Sequence, residues 1–576
     1  MSDHTHTEVT ITFSAAAGLG LQTAEDLARS FLSEAGYYVF SSREYMSRVR
    51  GGNNSTQFRI STKPVRALAE HIDWLFALSP GLHSNITENI SSRTKILGDA
   101  DVIGEEISKM GFELIDLALA NKAAELGGAY YSSMIVAGVI AGLFMLSDET
   151  ADTFILQKFA AKGTETVENN KRAFRIGHQF GADIVGKNAV LPLPQQKNAS
   201  EIFLDGDTAL ALGAASAGCN YVTTYPMSPG TGLFTFFAKH ARELGAVVEQ
   251  AEDEISVINM AVGAAYAGAR AITTTSDGGF VLMSEGISLA GITETPVVIH
   301  LAQRPGPATG LATRTEQAGI EVALHAGHGE FPKALFSPIN VESCFKCAGA
   351  AVHTAQKFQT PVIILTDQYL LDTGYDVERP DPAAIPEPLQ PVKAEKGYKR
   401  YAFPNDGNGI SPFAVPGYGD EFVNFDSHEH TEDAHITEDR ALRTKMNDKR
   451  LGKLVSMRKE SLPPITLGNP DAEIMLVCWG SVFEPLREAF EALGRKDILL
   501  IGCEQVYPLA EDFVKLMRSD AKKIFVEGNA TGQFARLVRA ETGVGCDAKI
   551  LKYNGFQYSA EELRVRVEKT LKDLGL

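Results

Sequence analysis

"YVTTYPMSPGTGLFTFFAKHAREL", residues 221–244, runs from a short β-branched strand into a helix-like stretch through a loop that holds two prolines and two glycines. Pro226 and Pro229 fix φ and remove two backbone donors, so the loop has its shape set in advance. Ser228 and Thr231 are then held rather than swinging. Two readings follow: a strand-to-helix turn whose hydroxyl caps the helix, or a stiff loop that presents hydroxyls to a ligand.

The sequence around this stretch alternates in the same way. "AVVEQ" (246–250), "RAITTTS" (270–276) and "PVVIHLA" (296–302) are further short strands, with helix-like runs between them. Four strands and three intervening helices specify a parallel sheet with its chemistry on the loops at strand ends. Upstream, residues 8–42 read as strand, glycine turn, helix and strand, the β-α-β opening of a doubly wound α/β sheet. Gly18 and Gly20 in that turn serve either a phosphate or close helix packing. "RVRGGNNSTQFRIS" (48–61) sets Arg48, Arg50 and the Gly51-Gly52 turn before a strand, which suits an anion or a solvated hairpin. The expected organisation is an α/β domain over 1–190, a doubly wound domain over 200–375, an acidic excursion over 376–465 and a third α/β domain over 466–576.

Composition narrows the function classes. Lys plus Arg (54) against Asp plus Glu (72) gives a net charge of −18, which argues against a general nucleic-acid surface. Apolar runs fall short of the roughly 18 residues of a membrane span, and the start is polar, so a cytoplasmic chain off the membrane is expected. Six cysteines in 576 residues read as reduced thiols. Cys344 and Cys347 form a C-x-x-C within an amphipathic helical pattern, only half of a four-thiolate site. His428, His430 and His435 lie among eight carboxylates between 420 and 439, a pattern of a solvated excursion more than of a metal site.

Three features of the second segment converge on strand ends: the braced Ser228 and Thr231, Arg304 after the last strand, and Glu254 at the start of a helix of apolar and small residues. By itself Glu254, with Asp253, would simply complement the helix dipole.

The runs "YPMSPGTG", "EQAEDEISVINMAVGAAYAGARAITTTSDGGFVLMSEG", "TETPVVIHLAQRPGPATGLATRTEQ" and "GHGEFPKAL" resemble the α subunit of 2-oxoacid:ferredoxin oxidoreductases, most closely the 2-oxoglutarate enzymes. The first 190 residues resemble the γ domain of the same family fused ahead of α, with "YMSRVRGGNNSTQFRIS" matching its R-G-G strand loop. The resemblance implies a γ-like α/β domain, a pyrimidine-binding-type thiamine diphosphate domain and a transketolase C-terminal-like domain. It also implies a β subunit carrying Mg²⁺, the diphosphate and a four-iron four-sulfur cluster, in an (αβ)₂ heterotetramer that reduces ferredoxin and uses CoA as cosubstrate. The absence of a G-D-G motif and of cluster cysteines agrees with half an active site.

By motif position Glu254 matches the glutamate that faces the aminopyrimidine, where an apolar setting favours a protonated carboxyl able to act as acid and base. Ser228 and Arg304 match groups that bind the substrate carboxylate and steady charge developing on its 2-oxo oxygen. Tyr225, Pro226 and Met227 line the cofactor side of the loop. Thr231, Arg314 and Arg48 are candidates for the substrate, and Arg50, Gly51 and Gly52 for cofactor phosphates. The implied reaction converts 2-oxoglutarate, CoA and oxidised ferredoxin to succinyl-CoA, CO₂ and reduced ferredoxin. Another 2-oxoacid, or a non-oxidative thiamine-dependent transferase or decarboxylase, is the alternative.

Overall fold

The computed structural model describes residues 7–16, 21–45, 53–194 and 201–576. The chain divides into two compact units, one of the described residues up to Phe203 with Thr373–Arg379, the other of Leu204–Asp372 with Pro380–Leu576.

In the first unit the strands run in the order Leu114–Asp116, Lys95–Gly98, Trp74–Ala77, Glu8–Ala16, Asn53–Ser61, Tyr38–Glu44, Thr373–Glu378, with Glu201–Asp205 at the end. The β-α-β opening is present as Glu8–Ala16, helix Leu21–Glu34 and Tyr38–Glu44, but its two strands are not neighbours. Asn53–Ser61 lies between them, antiparallel to both. The connection from Glu44 to Asn53 is shorter than the crossover of about a dozen residues that a parallel neighbour requires, so the chain folds back as a hairpin. The sheet is therefore mixed. Helices Ser132–Leu143 and Thr164–Val185 cover it, and each carries glycines four residues apart. A Cβ on Gly138 would strike the Phe174 carbonyl and one on Gly181 the Val139 carbonyl, so the two backbones approach as only glycine allows. Among the described residues no single helix is long and apolar enough to cross a membrane.

The second unit contains residues 221–244. Its seven-stranded sheet runs Gln505–Tyr507, Ala334–Phe336, Pro361–Asp367, Val297–Gln303, Ala271–Thr275, Tyr221–Thr224, Val247–Gln250. All neighbours are parallel except Gln505–Tyr507, which is antiparallel to Ala334–Phe336. The four expected strands are all present. The run from Gly278 to Ile292, read as one helix, breaks at Met283 into Asp277–Leu282 and Ser284–Ile292. The C-x-x-C stretch is the helix Val341–Phe358, with both thiols buried and a capping box between Asn340 and Ser343.

A five-stranded sheet follows in the order Ile465–Gly468, Ile498–Cys503, Ile474–Trp479, Lys522–Glu527, Ala548–Leu551. The segments 200–375 and 466–576, read as separate domains, share one apolar core that includes Val257, Ile299 and Ile363 with Trp479, Ile501 and Phe525. Buried Gln317 fastens them: its Nε2 donates to the Trp479 carbonyl at 2.8 Å and its Oε1 accepts from the Gly528 amide at 2.8 Å. Contacts of this kind merge elements that sequence spacing separates.

The acidic excursion is built in rather than loose. Its helix Arg440–Lys459 buries Lys449, Arg450 and Lys453. Lys449 and Lys453 each reach a carboxylate oxygen of buried Glu294 at 2.6 Å, and Arg400 donates to the Glu294 carbonyl at 2.6 Å. Glu429 pairs with Arg450, and buried His430 lies 3.9 Å from the Tyr401 ring, centroid to centroid. His428 and His435 face Asp426 and Asp433 at the surface.

Candidate functional site at the sheet switch point

Connections leave the strand Tyr221–Thr224 toward Val247–Gln250 on one side and reach Ala271–Thr275 on the other, so the topological switch point of the sheet falls between Tyr221–Thr224 and Ala271–Thr275. In open α/β sheets, ligands bind outside the carboxyl ends of the strands at such a switch point. The loop 225–230, Ser276, Asp277, Glu254 and Arg304 all follow the ends of these strands or of Val247–Gln250 and Val297–Gln303.

The loop is held from below. Thr274, buried, donates from its hydroxyl to the Gly230 carbonyl at 2.6 Å, and the same hydroxyl lies 2.9 Å from His300 Nδ1. Since a carbonyl only accepts, the Thr274 proton is committed there, Nδ1–H of His300 donates to the Thr274 oxygen, and His300 Nε2 accepts from the Thr366 hydroxyl at 2.7 Å. Burial pushes His300 down to about 3, so it is a neutral imidazole. The helix Thr231–Leu244 starts at Gly230 without a side-chain cap. The hydroxyls of this loop are therefore not spent as side-chain caps of that helix. Ser228, Tyr225 and Pro226 are exposed and Met227 is half-buried.

Arg304 spans from its strand end to this loop. Its Nη1 donates to the Ser228 carbonyl at 2.8 Å, and its own amide donates to Asp277 Oδ2 at 2.8 Å. Its Nε is buried with no partner among the described residues, which leaves the edge formed by Nε and Nη2 for a carboxylate.

Glu254 opens the helix Glu254–Tyr266 and is only 3% exposed. Its Oε1 is buried and unpartnered among the described residues, as is the Ser276 hydroxyl. A Cβ at Gly279 would overlap the Glu254 carboxylate, so this glycine makes room for it. Buried polar atoms are nearly always paired, and Glu254 Oε1, Ser276 Oγ and Arg304 Nε are three beyond these strand ends that have no partner among the described residues.

Asp277 was not singled out by sequence reasoning. Burial pushes its carboxyl up to about 6, against the lowering effect of its bond to the Arg304 amide, and Glu316 nearby is raised by its own burial and by the charge of Asp277. His300 was also missed; its one signal is a lone imidazole inside "PVVIHLA", which reads as an ordinary core residue. The Arg314 guanidinium lies 4.8 Å from the centroid of the Phe556 ring. Arg48, Arg50, Gly51 and Gly52, like Gly18 and Gly20, lie outside the described residues.

A parallel sheet whose switch point gathers a buried glutamate, an arginine and a stiff hydroxyl-bearing loop is the architecture of a ligand-binding α/β protein. Comparison with known proteins makes this specific. Residues 212–448 match the family described as pyruvate flavodoxin/ferredoxin oxidoreductase, thiamine diphosphate-binding, and residues 10–180 match pyruvate ferredoxin/flavodoxin oxidoreductase. A 2-oxoacid:ferredoxin oxidoreductase subunit alpha from Sulfolobus sp. is 32% identical over 97% of this chain and 96% of its own length. The 2-oxoglutarate oxidoreductase subunit KorA of Mycobacterium tuberculosis is 28% identical over 96% of this chain and 90% of its own. Among solved structures, the 2-oxoglutarate:ferredoxin oxidoreductase of Magnetococcus marinus, with 2-oxoglutarate, coenzyme A and succinyl-CoA bound, superimposes with a TM-score of 0.87 at 27% identity, covering 98% of this chain and 99% of that one.

The chain belongs to the α subunits of the 2-oxoacid:ferredoxin oxidoreductases. It thus carries a thiamine diphosphate-binding domain, and the residues present fit that group: a buried, unpartnered carboxyl suits a hydrogen bond to an aminopyrimidine.

Proposed function

We propose that this chain is the γα-fused α subunit of a 2-oxoglutarate:ferredoxin oxidoreductase, which forms succinyl-CoA, CO₂ and reduced ferredoxin reversibly and shares its thiamine diphosphate with a β subunit. The observation that carries the reading is the buried Glu254 side chain, whose Oε1 has no hydrogen-bond partner among the described residues. Thiamine diphosphate, when bound, supplies the carbon nucleophile and electron sink that decarboxylation requires. Glu254 holds a proton at the aminopyrimidine and exchanges it as acid and base. Arg304 offers its Nε–Nη2 edge to the carboxylate beside the ketone, and the Ser228 hydroxyl orients the 2-oxo oxygen. Asp277 and Thr274 keep these two groups in place.

That the site is completed by another chain is supported by the exposed apolar residues beside it. Ile255 follows Glu254, Val281 and Leu282 follow Gly279, and all three are more than half exposed, a composition suited to a partner surface. In this reading the β subunit also brings Mg²⁺ and the four-iron four-sulfur cluster, the assembly is (αβ)₂, and ferredoxin is the acceptor. The 2-oxoglutarate preference is supported by the names of the Mycobacterium relative and the Magnetococcus enzyme.

The test is copurification with the neighbouring β subunit, followed by CoA-dependent reduction of a low-potential dye by a series of 2-oxoacids. The expected result is highest kcat/KM with 2-oxoglutarate, and no turnover by this chain alone. A preference for pyruvate or a branched-chain acid overturns the substrate, and turnover without dye reduction or CoA points to a non-oxidative transferase or decarboxylase.

A further inference from the structure

Arg304 is the group on which substrate binding turns in the proposed function, yet an arginine has four flexible torsions before its guanidinium reaches a ligand. Its main-chain amide is held by a side chain. Asp277, two residues beyond the end of Ala271–Thr275, accepts the Arg304 amide at Oδ2 at 2.8 Å, one residue beyond the end of Val297–Gln303. The two strands are parallel neighbours, Thr275 opposite Leu301, so this bond ties the ends of adjacent strands together. From that fixed Cα the guanidinium reaches back to the Ser228 carbonyl at 2.8 Å, beyond the end of Tyr221–Thr224. Asp277, Arg304 and Ser228 thus form one brace across three consecutive strands of the sheet, and the buried Nε of Arg304 is the atom the brace leaves unspent.

We propose that Asp277 is a positioning residue for the carboxylate of the 2-oxoacid, acting through Arg304 by its hydrogen bond to the Arg304 amide and not by its charge. The proposal rests on the functional reading above. The charge works against the role, because a carboxylate beside the guanidinium opposes the arrival of a substrate anion. Burial, which pushes the Asp277 carboxyl up to about 6, reduces that opposition only in acid. An asparagine would keep an oxygen for the Arg304 amide and remove the charge, so bond and charge are separable by substitution.

The experiment uses the holoenzyme, this chain with its β partner, and measures kcat and KM for the 2-oxoacid and for CoA in the wild type, Asp277→Ala and Asp277→Asn. Loss of one hydrogen bond predicts a rise of roughly tenfold in the 2-oxoacid KM for Asp277→Ala, with the CoA KM unchanged and kcat reduced less. Asp277→Asn is expected to hold the 2-oxoacid KM at or below the wild-type value. A purely structural role would lower the active fraction and leave both KM values alone. The proposal is overturned if Asp277→Ala leaves the 2-oxoacid KM unchanged, if the CoA KM rises in parallel, or if Asp277→Asn raises the 2-oxoacid KM as Asp277→Ala does. Should the alanine variant not fold, Asp277→Leu, close in shape but without an acceptor for the Arg304 amide, takes its place with the same expected rise in the 2-oxoacid KM and the same overturning result. A wild-type holoenzyme that turns over no 2-oxoacid would sink the functional reading and this proposal together, whereas a failure confined to the Asp277 variants sinks only the proposal.

Discussion

Arg304 meets Ser228 at its backbone carbonyl, 2.8 Å from Nη1, and not at its hydroxyl. Alanine at 228 therefore keeps the bond to the Arg304 guanidinium and deletes only the hydroxyl to which the proposed function gives the substrate's 2-oxo oxygen. Ser228→Ala is expected to lower kcat/KM by about tenfold or less, the value of one neutral hydrogen bond. Arg304→Met removes both the brace and the charged donor, and a charge-assisted bond is worth about 1.5–3 kcal/mol, so a loss of roughly 10- to 150-fold or more is expected, mostly in the 2-oxoacid KM. Steady-state kinetics of the two variants side by side check the order. Equal losses would place the hydroxyl and the guanidinium on the same footing.

Much of this site was legible because its parts are local. The prolines at 226 and 229 announce a shaped loop, the β-branched runs announce strands, and a glutamate ahead of an apolar helix announces a carboxyl with one buried side. What stayed hidden depends on lateral neighbours in the sheet. Asp277 meets Arg304 across 27 positions of chain, and Thr274 meets His300 across 26, because parallel strands bring residues together through whole helices. In the first unit the same limit appears as Asn53–Ser61 inserting between two strands whose pattern was correctly read. The acidic excursion misled by its composition: its carboxylates are mostly at the surface, but the cations of the helix that follows are turned inward onto Glu294.

That inward cluster is unequal, one buried carboxylate against Lys449, Lys453 and Arg400. Removing the carboxylate leaves several buried cations without compensation, whereas removing one lysine leaves Glu294 still paired. Glu294→Gln is expected to cost about 3–5 kcal/mol in unfolding free energy, the range for breaking a buried ion pair, and Lys453→Met distinctly less. Burial already pushes Lys453 down to about 8, which marks its charge as costly to keep there. Denaturant unfolding of both variants tests this, and a lysine loss equal to the glutamate loss would contradict it.

His300 gives a pH signature. Its folded value is depressed to about 3 from an ordinary 6.5, so between those limits the unfolded chain binds a proton that the folded chain does not. Its contribution to stability is fully present above pH 6.5 and is lost as the pH falls toward 3. The slope from this one group is at most about 1.4 kcal/mol per pH unit. His300→Gln removes the titration, so the stability advantage of the wild type over the variant should shrink steadily on acidification through that window. A constant difference between the two, measured by chemical unfolding at a series of pH values, would show that the imidazole takes up its proton in the folded state.

Glu254 and its neighbour Asp253 provide the most discriminating pair. Asp253 is the helix cap, its Oδ1 accepting the Ser256 amide at 2.7 Å, and Glu254 is turned into the protein with Oε1 unpartnered. The cap is thus assigned to Asp253, and in the proposed function Glu254 serves the cofactor. Glu254→Gln preserves shape while removing the ionisable carboxyl, and should assemble normally yet lose about 10²–10⁴-fold in turnover, the usual cost of a positioned acid–base group. Glu254→Asp should also be impaired, since the shorter side chain withdraws the carboxyl from its buried position. Asp253→Asn keeps an acceptor for the Ser256 amide and should leave turnover close to wild type. Exchange of the thiazolium proton of thiamine diphosphate, followed in the assembled enzyme, separates the possibilities: it should slow with turnover in Glu254→Gln and remain normal in Asp253→Asn. Normal exchange with full turnover in Glu254→Gln would return that carboxyl to the role of a second helix-start anion, and the buried, unpartnered oxygen would need a different ligand.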